Sequence, residues 1–297
     1  MASNVENTPS KLPCGVYAAV LTPLREDLSC DVDALAEHSL DVISRGCQGI
    51  VVLGTTGEGA SFSTQERIET LGALIARGVD PKKILLANGG ASIPDTVELT
   101  REGLRHGCPA MLVCPPTFFK GVSEKGVLEY YREVIQRVDN PQLKVFLYHI
   151  PQLSGVPITL RIIEVLKAEF PDVVIGIKES EGNWPFTVQI LEQFPGFQVF
   201  VGNEGHITEA VSRGASGAIC GMANLYPELI CSLLKHPSPQ LEPFFQAIQG
   251  LHFISAFKAL LAQKRGEKWL RVRPPLVPLD KSHRDTLLSR EAAIGIS

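Results

Sequence analysis

The stretch Val173-Val174-Ile175-Gly176-Ile177-Lys178-Glu179-Ser180 is an apolar run of strand length that ends in charge. Polar residues do not alternate with its Val and Ile side chains. A strand buried on both faces looks like this, and such strands belong to parallel sheets. Seven further runs share the signature. They are residues 16–21 before Thr22-Pro23, 49–53 before Gly54-Thr55-Thr56-Gly57, 84–87 before Asn88-Gly89-Gly90, and 110–114 before Pro115-Pro116. The others are 145–148 before His149-Ile150-Pro151, 198–201 before Gly202-Asn203, and 217–220 before Gly221-Met222-Ala223-Asn224.

Amphipathic stretches of helical period separate the runs. Residues 33–44 place Leu35, Leu40 and Ile43 near one face. Residues 64–77 open on a capping box, Ser63-Thr64-Gln65-Glu66, and continue through Ile68, Leu71 and Ile75. Residues 96–106, 125–138, 159–170, 184–194 and 204–213 behave alike. Eight β-α units in about 210 residues are the arithmetic of a (β/α)8, or TIM, barrel. A doubly wound sheet is the competing α/β reading, and eight units count against it. Beyond residue 225 the chain reads as helices over 226–235, 241–251 and 253–264, an extended piece over 271–279 and a last helix from His283. The expected organisation is an N-terminal tail (1–14), a catalytic barrel (15–225) and a C-terminal helical extension (226–297).

Composition excludes several classes. Of 297 residues, 44% are hydrophobic and 20% charged, which is ordinary globular usage. Lys and Arg total 28 against 32 Asp and Glu, a formal net charge of −4, which disfavours a nucleic-acid or anionic-membrane partner. The polar start, MASNVENTPSKLP, does not read as a signal peptide, and no apolar run reaches the length of a membrane span. The seven cysteines (Cys14, Cys30, Cys47, Cys108, Cys114, Cys220 and Cys231) are odd in number and form no CxxC pair. They read as buried reduced thiols of a cytoplasmic protein. No close Cys/His pairing suggests zinc, and no His/Asp/Glu cluster is expected at strand ends, so the expected metal is none.

Barrels of this kind carry their chemistry at the carboxyl ends of the strands. Lys178 ends an apolar strand at a low-dielectric mouth, where desolvation favours the neutral amine, a nucleophile suited to a Schiff base. The plainer alternative is a lysine snorkelling to solvent just past the strand. Tyr148 ends the preceding strand, so its phenol could relay protons beside the lysine; an aromatic that merely caps the barrel is the alternative. The turn Gly54-Thr55-Thr56-Gly57-Glu58-Gly59 offers two hydroxyls and free backbone N–H groups to a carboxylate. It lacks the Lys-Ser/Thr of a P-loop. A tight turn would explain its glycines but not its paired threonines.

These motifs, in this order, resemble the dihydrodipicolinate synthase / N-acetylneuraminate lyase family of Schiff-base aldolases on a (β/α)8 barrel. The resemblance covers about residues 14–280. The family's G-x-T-G-E turn is similar to Gly54-Thr55-Thr56-Gly57-Glu58, its Y-N-x-P strand end to Tyr148-His149-Ile150-Pro151, and its G-x-K-[ED]-[ST] strand to Gly176-Ile177-Lys178-Glu179-Ser180. Val201-Gly202-Asn203-Glu204, the stretch from Gly214 to Asn224, and Arg273-Pro274-Pro275-Leu276-Val277-Pro278-Leu279 resemble its later segments.

The resemblance implies a metal-independent class I aldolase or lyase with no cofactor beyond a covalent imine on Lys178. Its partners would be small molecules, pyruvate or another 2-oxo acid and an aldehyde. Tyr148 would pass protons, and Thr55 would relay them. Thr55 and Thr56 would bind the carboxylate, and backbone groups of Gly202 and Ile219 would line the pocket. The family usually forms homotetramers built from dimers, and the loop pair Phe118-Phe119 is compatible with an interface in a homotetramer or homodimer.

Departures bear on the substrate. Where the synthases carry an arginine for the second substrate's carboxylate, this chain has Leu153. Where they carry a tyrosine given to a neighbouring subunit's relay, it has Thr117 or Phe118. His149 replaces the usual asparagine, and strand alternation turns it away from Tyr148. Glu204 falls where sialic acid lyases bind substrate hydroxyls; a solvated glutamate at a helix N-terminus is the alternative. The expected substrate is thus a 2-keto-3-deoxy sugar acid or similar hydroxy-2-oxo acid. Lysine-pathway 4-hydroxy-tetrahydrodipicolinate synthesis, a dehydratase or hydratase outcome, and a non-catalytic barrel used for binding remain as alternatives.

Overall fold

A computed structural model describes residues 11–89 and 92–296; residues 1–10 of the expected tail lie outside these. Eight strands, β1 (Gly15–Ala19), β2 (Gly49–Val52), β3 (Ile84–Gly89), β4 (Ala110–Cys114), β5 (Val145–His149), β6 (Val174–Glu179), β7 (Gln198–Val201) and β8 (Gly217–Cys220), close into a barrel in chain order. All neighbours are parallel, including β8 with β1. The fold is a (β/α)8 TIM barrel followed by C-terminal helices.

The helices after the first four strands are α1 (Val32–Ser44), α2 (Thr64–Ala76), α3 (Ile93–Arg105) and α4 (Glu124–Val138). A single turn, α5 (Pro151–Ser154), and then α6 (Leu160–Glu169) follow β5, while α7 (Trp184–Gln193) and α8 (Ile207–Ser212) follow β6 and β7. Beyond β8 come α9 (Pro227–Ser232), α10 (Leu241–Ile248), α11 (Phe253–Arg265) and α12 (Lys281–Ile294). The capping box at α2 is formed as expected: Ser63 accepts from the Glu66 N–H, and Glu66 accepts from the Ser63 N–H.

Alternation along each strand divides two cores. Tyr17, Val51, Leu85, Leu112, Phe146, Phe200 and Ile219 fill the barrel, whereas Val16, Ile50, Leu86, Val113, Leu147 and Val199 meet the helices. The bottom is closed by Leu12, whose N–H donates to Gln198 Oε1 (2.7 Å) and whose carbonyl accepts from Gln198 Nε2 (2.9 Å). Three expectations need correction. Leu40 is 41% exposed, because the buried face of α1 runs through Leu35, His38, Ser39 and Val42. On α2 the buried face runs through Arg67, Leu71 and Leu74, with Ile75 half-buried at its margin and Ile68 half-buried outside it. Cys14 is exposed, so the free cysteines are not all buried.

The interior narrows beneath Lys178. Gly176 lies on the same face of β6, two residues earlier, and a Cβ there would stand 2.3 Å from Phe146 Cε1 and 2.4 Å from the Gln198 carbonyl. Both neighbours are locked, one by core packing and one by the sheet. Gly176→Ala should therefore cost at least the roughly 1–3 kcal/mol of an overpacked core. A denaturant midpoint unchanged from wild type would contradict this.

Candidate active site

Register brings the sequence-predicted residues together. β5 pairs with β6 so that Tyr148 stands beside Lys178 and His149 beside Glu179. Lys178 lies inside β6 and is only 5% exposed, so the snorkelling alternative is excluded. Its ammonium donates to the Tyr148 hydroxyl (3.3 Å) and sits 4.4 Å from that ring's centroid. The Tyr148 hydroxyl also shares a hydrogen bond with Thr55 Oγ1 (3.1 Å). Amine, phenol and threonine hydroxyl thus form one hydrogen-bonded chain at the carboxyl ends of β6, β5 and β2. Such a chain can carry a proton between a nitrogen and a bound oxygen.

The turn after β2 is shaped by contact. Leu53 takes a left-handed conformation (φ 53), and a Cβ on Gly59 would overlap the Leu53 carbonyl at 1.8 Å. Thr22 Oγ1 holds the Gly57 carbonyl (2.7 Å). From α2, the Arg67 guanidinium donates to the Ala87 carbonyl (2.5 Å) at the end of β3 and reaches that of Leu53 (3.5 Å). Burial pushes this arginine down to about 10. In the turn itself, Thr56 is buried.

Gly202 and Ile219 occupy the ends of β7 and β8. The Gly202 N–H is already given to the Glu179 carbonyl (2.6 Å), which leaves its carbonyl as the group available to a ligand. Ile219 is fully buried in the barrel interior. Glu204 is not the solvated glutamate of the alternative reading. It begins a single 3-10 turn (Glu204–His206), its Oε1 accepts the Met222 N–H (3.0 Å), and burial raises its pKa. The carboxylate ties the loop after β7 to the loop after β8 and lies within electrostatic reach of Lys178.

His149, by contrast, is on the outer face. Its Nδ1 accepts the Ile158 N–H (3.0 Å), Nε2 faces Glu181 (3.2 Å), and the ring lies against Phe186. The expectation that no His/Asp/Glu cluster stands at the strand ends is thereby corrected. His149, Glu179 and Glu181 bring one ligand atom each within 4.8 Å of one another. These atoms already have partners: Glu179 accepts from the Glu181 and Gly182 N–H groups and from Thr187 Oγ1. Alternation puts the trio on the opposite side of the wall from Tyr148 and Lys178.

Besides Arg67, two residues close to the strand ends went unanticipated. Cys114, at the end of β4, packs with the interior cluster and senses the charge of Lys178. Asn224, after β8, accepts from the Leu21 N–H, donates to the Ala19 carbonyl and meets His38 Nε2 (2.8 Å). Alternation from Leu112 could have found Cys114; Asn224 depends on contacts too distant in sequence to read. Two surface clefts, of about 400 and 480 Å³, are lined by other residues, among them Arg45, Arg265 and Trp269 in one and Pro94 and Arg101 in the other. Neither contains the Lys178–Tyr148–Thr55 chain, so chemistry and strand position mark the site.

A buried amine hydrogen-bonded to a phenol at the mouth of such a barrel is an arrangement suited to Schiff-base chemistry. The chain belongs to the dihydrodipicolinate synthetase family, whose model matches residues 12–292. A DapA-like lyase of uncharacterised activity from Chloroflexus aurantiacus is 35% identical over 277 residues, 90% of this chain and 92% of that protein. The crystal structure of dihydrodipicolinate synthase from Agrobacterium tumefaciens superposes with a TM-score of 0.91 at 30% identity, covering 95% of this chain and 99% of that one. A Sulfolobus solfataricus 2-keto-3-deoxygluconate aldolase variant shares the fold, with a TM-score of 0.82 at 22% identity over 94% of this chain and 96% of its own.

The outward position of His149 gives a direct expectation. His149→Phe leaves the buried Ile158 N–H unpaired, at a cost of roughly 1–3 kcal/mol. Activity per folded molecule should persist. Measured by denaturation and steady-state rates, a stable but inactive variant would contradict the assignment.

Proposed function

We propose that this enzyme is a class I, Schiff-base aldolase or lyase acting on pyruvate or a related 2-oxo acid. The carrying observation is the Lys178–Tyr148–Thr55 hydrogen-bonded chain inside the barrel mouth. The Lys178 amine attacks the C2 carbonyl of the 2-oxo acid. Tyr148 delivers the proton that lets the carbinolamine hydroxyl leave as water, giving a protonated imine. Thr55 passes protons to and from Tyr148, and Thr55 with Thr56 holds the carboxylate. The imine is an electron sink. When Tyr148 takes the proton from the C4 hydroxyl, the C3–C4 bond breaks, its electron pair becomes an enamine and an aldehyde departs. Tyr148 then returns that proton to C3 and takes one from the water that hydrolyses the imine, which releases the 2-oxo acid and free Lys178. Every step has a group on this chain, and the scheme calls for neither metal nor organic cofactor.

Glu204 and the carbonyl of Gly202 face the hydroxylated end of the substrate in this reading, with Ile219 as an apolar wall. Leu153 is 54% exposed on α5 and offers no charge to a second carboxylate, which favours a sugar-acid fragment as the aldehyde. A second reading, 4-hydroxy-tetrahydrodipicolinate synthesis, draws support from Lys120. Its ammonium donates to the Ser154 carbonyl (2.7 Å), one residue from Leu153, and could serve a carboxylate in place of the arginine.

Phe118 and Phe119 are 85% and 68% exposed on the loop after β4, close to that same α5 turn through Lys120. We propose that a homodimer or homotetramer covers them. All seven cysteines are free, which supports residence in the cytoplasm. Among the described residues no single helix is long and apolar enough to cross a membrane.

The direct test is borohydride reduction with pyruvate, followed by peptide mapping. The expected adduct is on Lys178 and is lost in Lys178→Ala; an adduct elsewhere overturns the assignment. Tyr148→Phe should slow turnover by roughly 10²–10⁴-fold, and a near wild-type rate would remove Tyr148 from proton transfer. EDTA should leave turnover unchanged; loss that is restored by a divalent ion would point to the metal-dependent class. Sedimentation of a Phe118→Glu/Phe119→Glu double variant should show a smaller species than wild type.

A further inference from the structure

The turn that carries Thr55 and Thr56 is bolted to the C-terminal extension. Glu58, left-handed in mid-turn (φ 58), donates its N–H to the Thr55 carbonyl (3.1 Å). Its carboxylate forms an ion pair with Lys258 of α11, and both side chains are 0% exposed. Glu58 Oε2 also accepts the Arg273 N–H (2.8 Å), while Lys258 donates to the Arg271 carbonyl (2.5 Å). Arg273 returns to the same stretch through the Ser61 carbonyl (2.6 Å), Glu66 (2.5 Å) and the Phe62 ring (3.8 Å). Beside Lys258, Phe257 packs against Gly221 so closely that a Cβ there would meet it at 2.8 Å; the same point lies 3.6 Å from Thr56 Cγ2. One turn of α11 therefore touches both loops that flank Thr56.

An ion pair in a dry interior seldom adds stability over well-packed apolar residues of the same size. It does impose direction, because each charge must keep its partner. Here the direction runs from α11 into the one left-handed, non-glycine residue between Thr56 and Gly59. Burial pulls Lys258 down, and the facing Glu58 opposes that pull. Cys30, the remaining titratable group near it, is buried and raised, hence neutral.

We propose that Lys258 and Glu58 are positioning residues that hold the Thr55–Thr56 turn where the carboxylate of the 2-oxo acid docks. They thereby set the affinity for that substrate rather than the rate of proton transfer. This rests on the proposed reading of the turn as the carboxylate site. Neither residue touches the reacting atoms. Coupling of this kind is reciprocal: a ligand that needs the turn ordered must in return stabilise the clamp.

The Arg273 amide is a reporter in the unaltered enzyme, since its acceptor is Glu58. Saturating pyruvate should slow its hydrogen exchange; an unchanged rate overturns the proposal. The neutral pair Glu58→Gln/Lys258→Met removes both charges together. Its KM for the 2-oxo acid should rise about tenfold or more with kcat altered less than about threefold, the pattern of lost uniform binding. Borohydride trapping at saturating pyruvate should still mark its Lys178. Lys258→Arg, which keeps the charge, should recover part of the KM change. A folded double variant with wild-type KM removes the clamp alone. Failure of the wild type to trap pyruvate removes the underlying reading as well. Should the double variant not fold, exchange at Arg273 in the wild type decides.

Discussion

A single amine held on the inner wall of a closed barrel is the constraint around which this molecule is arranged. Lys178 is only 5% exposed, within hydrogen-bonding reach of a phenol and over the edge of its ring. Keeping a nitrogen there requires strands on both sides in fixed register and a small residue beneath it. It also requires a relay to bring protons in and out without bulk water. β5 and β7 supply the walls, Gly176 the space, and, in the proposed reading, Tyr148 with Thr55 the relay. The eightfold repetition of strand and helix makes that placement reproducible, because a parallel barrel directs every strand's carboxyl end to one rim.

The rim is held from outside as well as from within. Arg67 ties the ends of β2 and β3, Glu204 joins the loops after β7 and β8, and Asn224 joins the end of β1 to the segment after β8. The chain beyond the eighth unit takes part through Lys258 and Phe257 of α11 and through Arg273 after it. The C-terminal helices thus form part of the rim's scaffold. In the proposed reading, substrate choice rests by contrast on exposed positions, Leu153 and Lys120 above all.

Much of this was legible in the sequence, for identifiable reasons. The strands declared themselves because fully buried β-structure needs unbroken Val, Ile and Leu, and their ends were marked by Gly, Pro, Asn and Thr. Lys178 and Tyr148 stood out because a charge and a phenol are costly at the end of such a run. Features that depend on which face of a helix turns inward were less visible. Arg67 was hidden by the assumption that the apolar face is the buried one, yet its Nη2 is held by strand-end carbonyls. Lys258 carried a signal that could have been used, a lysine within Phe253-Ile254-Ser255-Ala256-Phe257-Lys258-Ala259-Leu260-Leu261. Its partner, 200 positions earlier, could not be inferred without the fold. The cluster of His149, Glu179 and Glu181 was missed because it arises only when β5 and β6 lie side by side.

The central claim is that a 2-oxo acid is held at one place by two attachments, a covalent bond to the lysine and a carboxylate seated on the threonine turn. A crystal structure of the enzyme soaked in pyruvate tests both together. Continuous density is expected from Lys178 Nζ to the substrate's C2, with the carboxylate against Thr55 and Thr56 and the Tyr148 hydroxyl beside the new bond. Pyruvate bound without a bond to Lys178, or bonded with its carboxylate directed away from that turn, would contradict it.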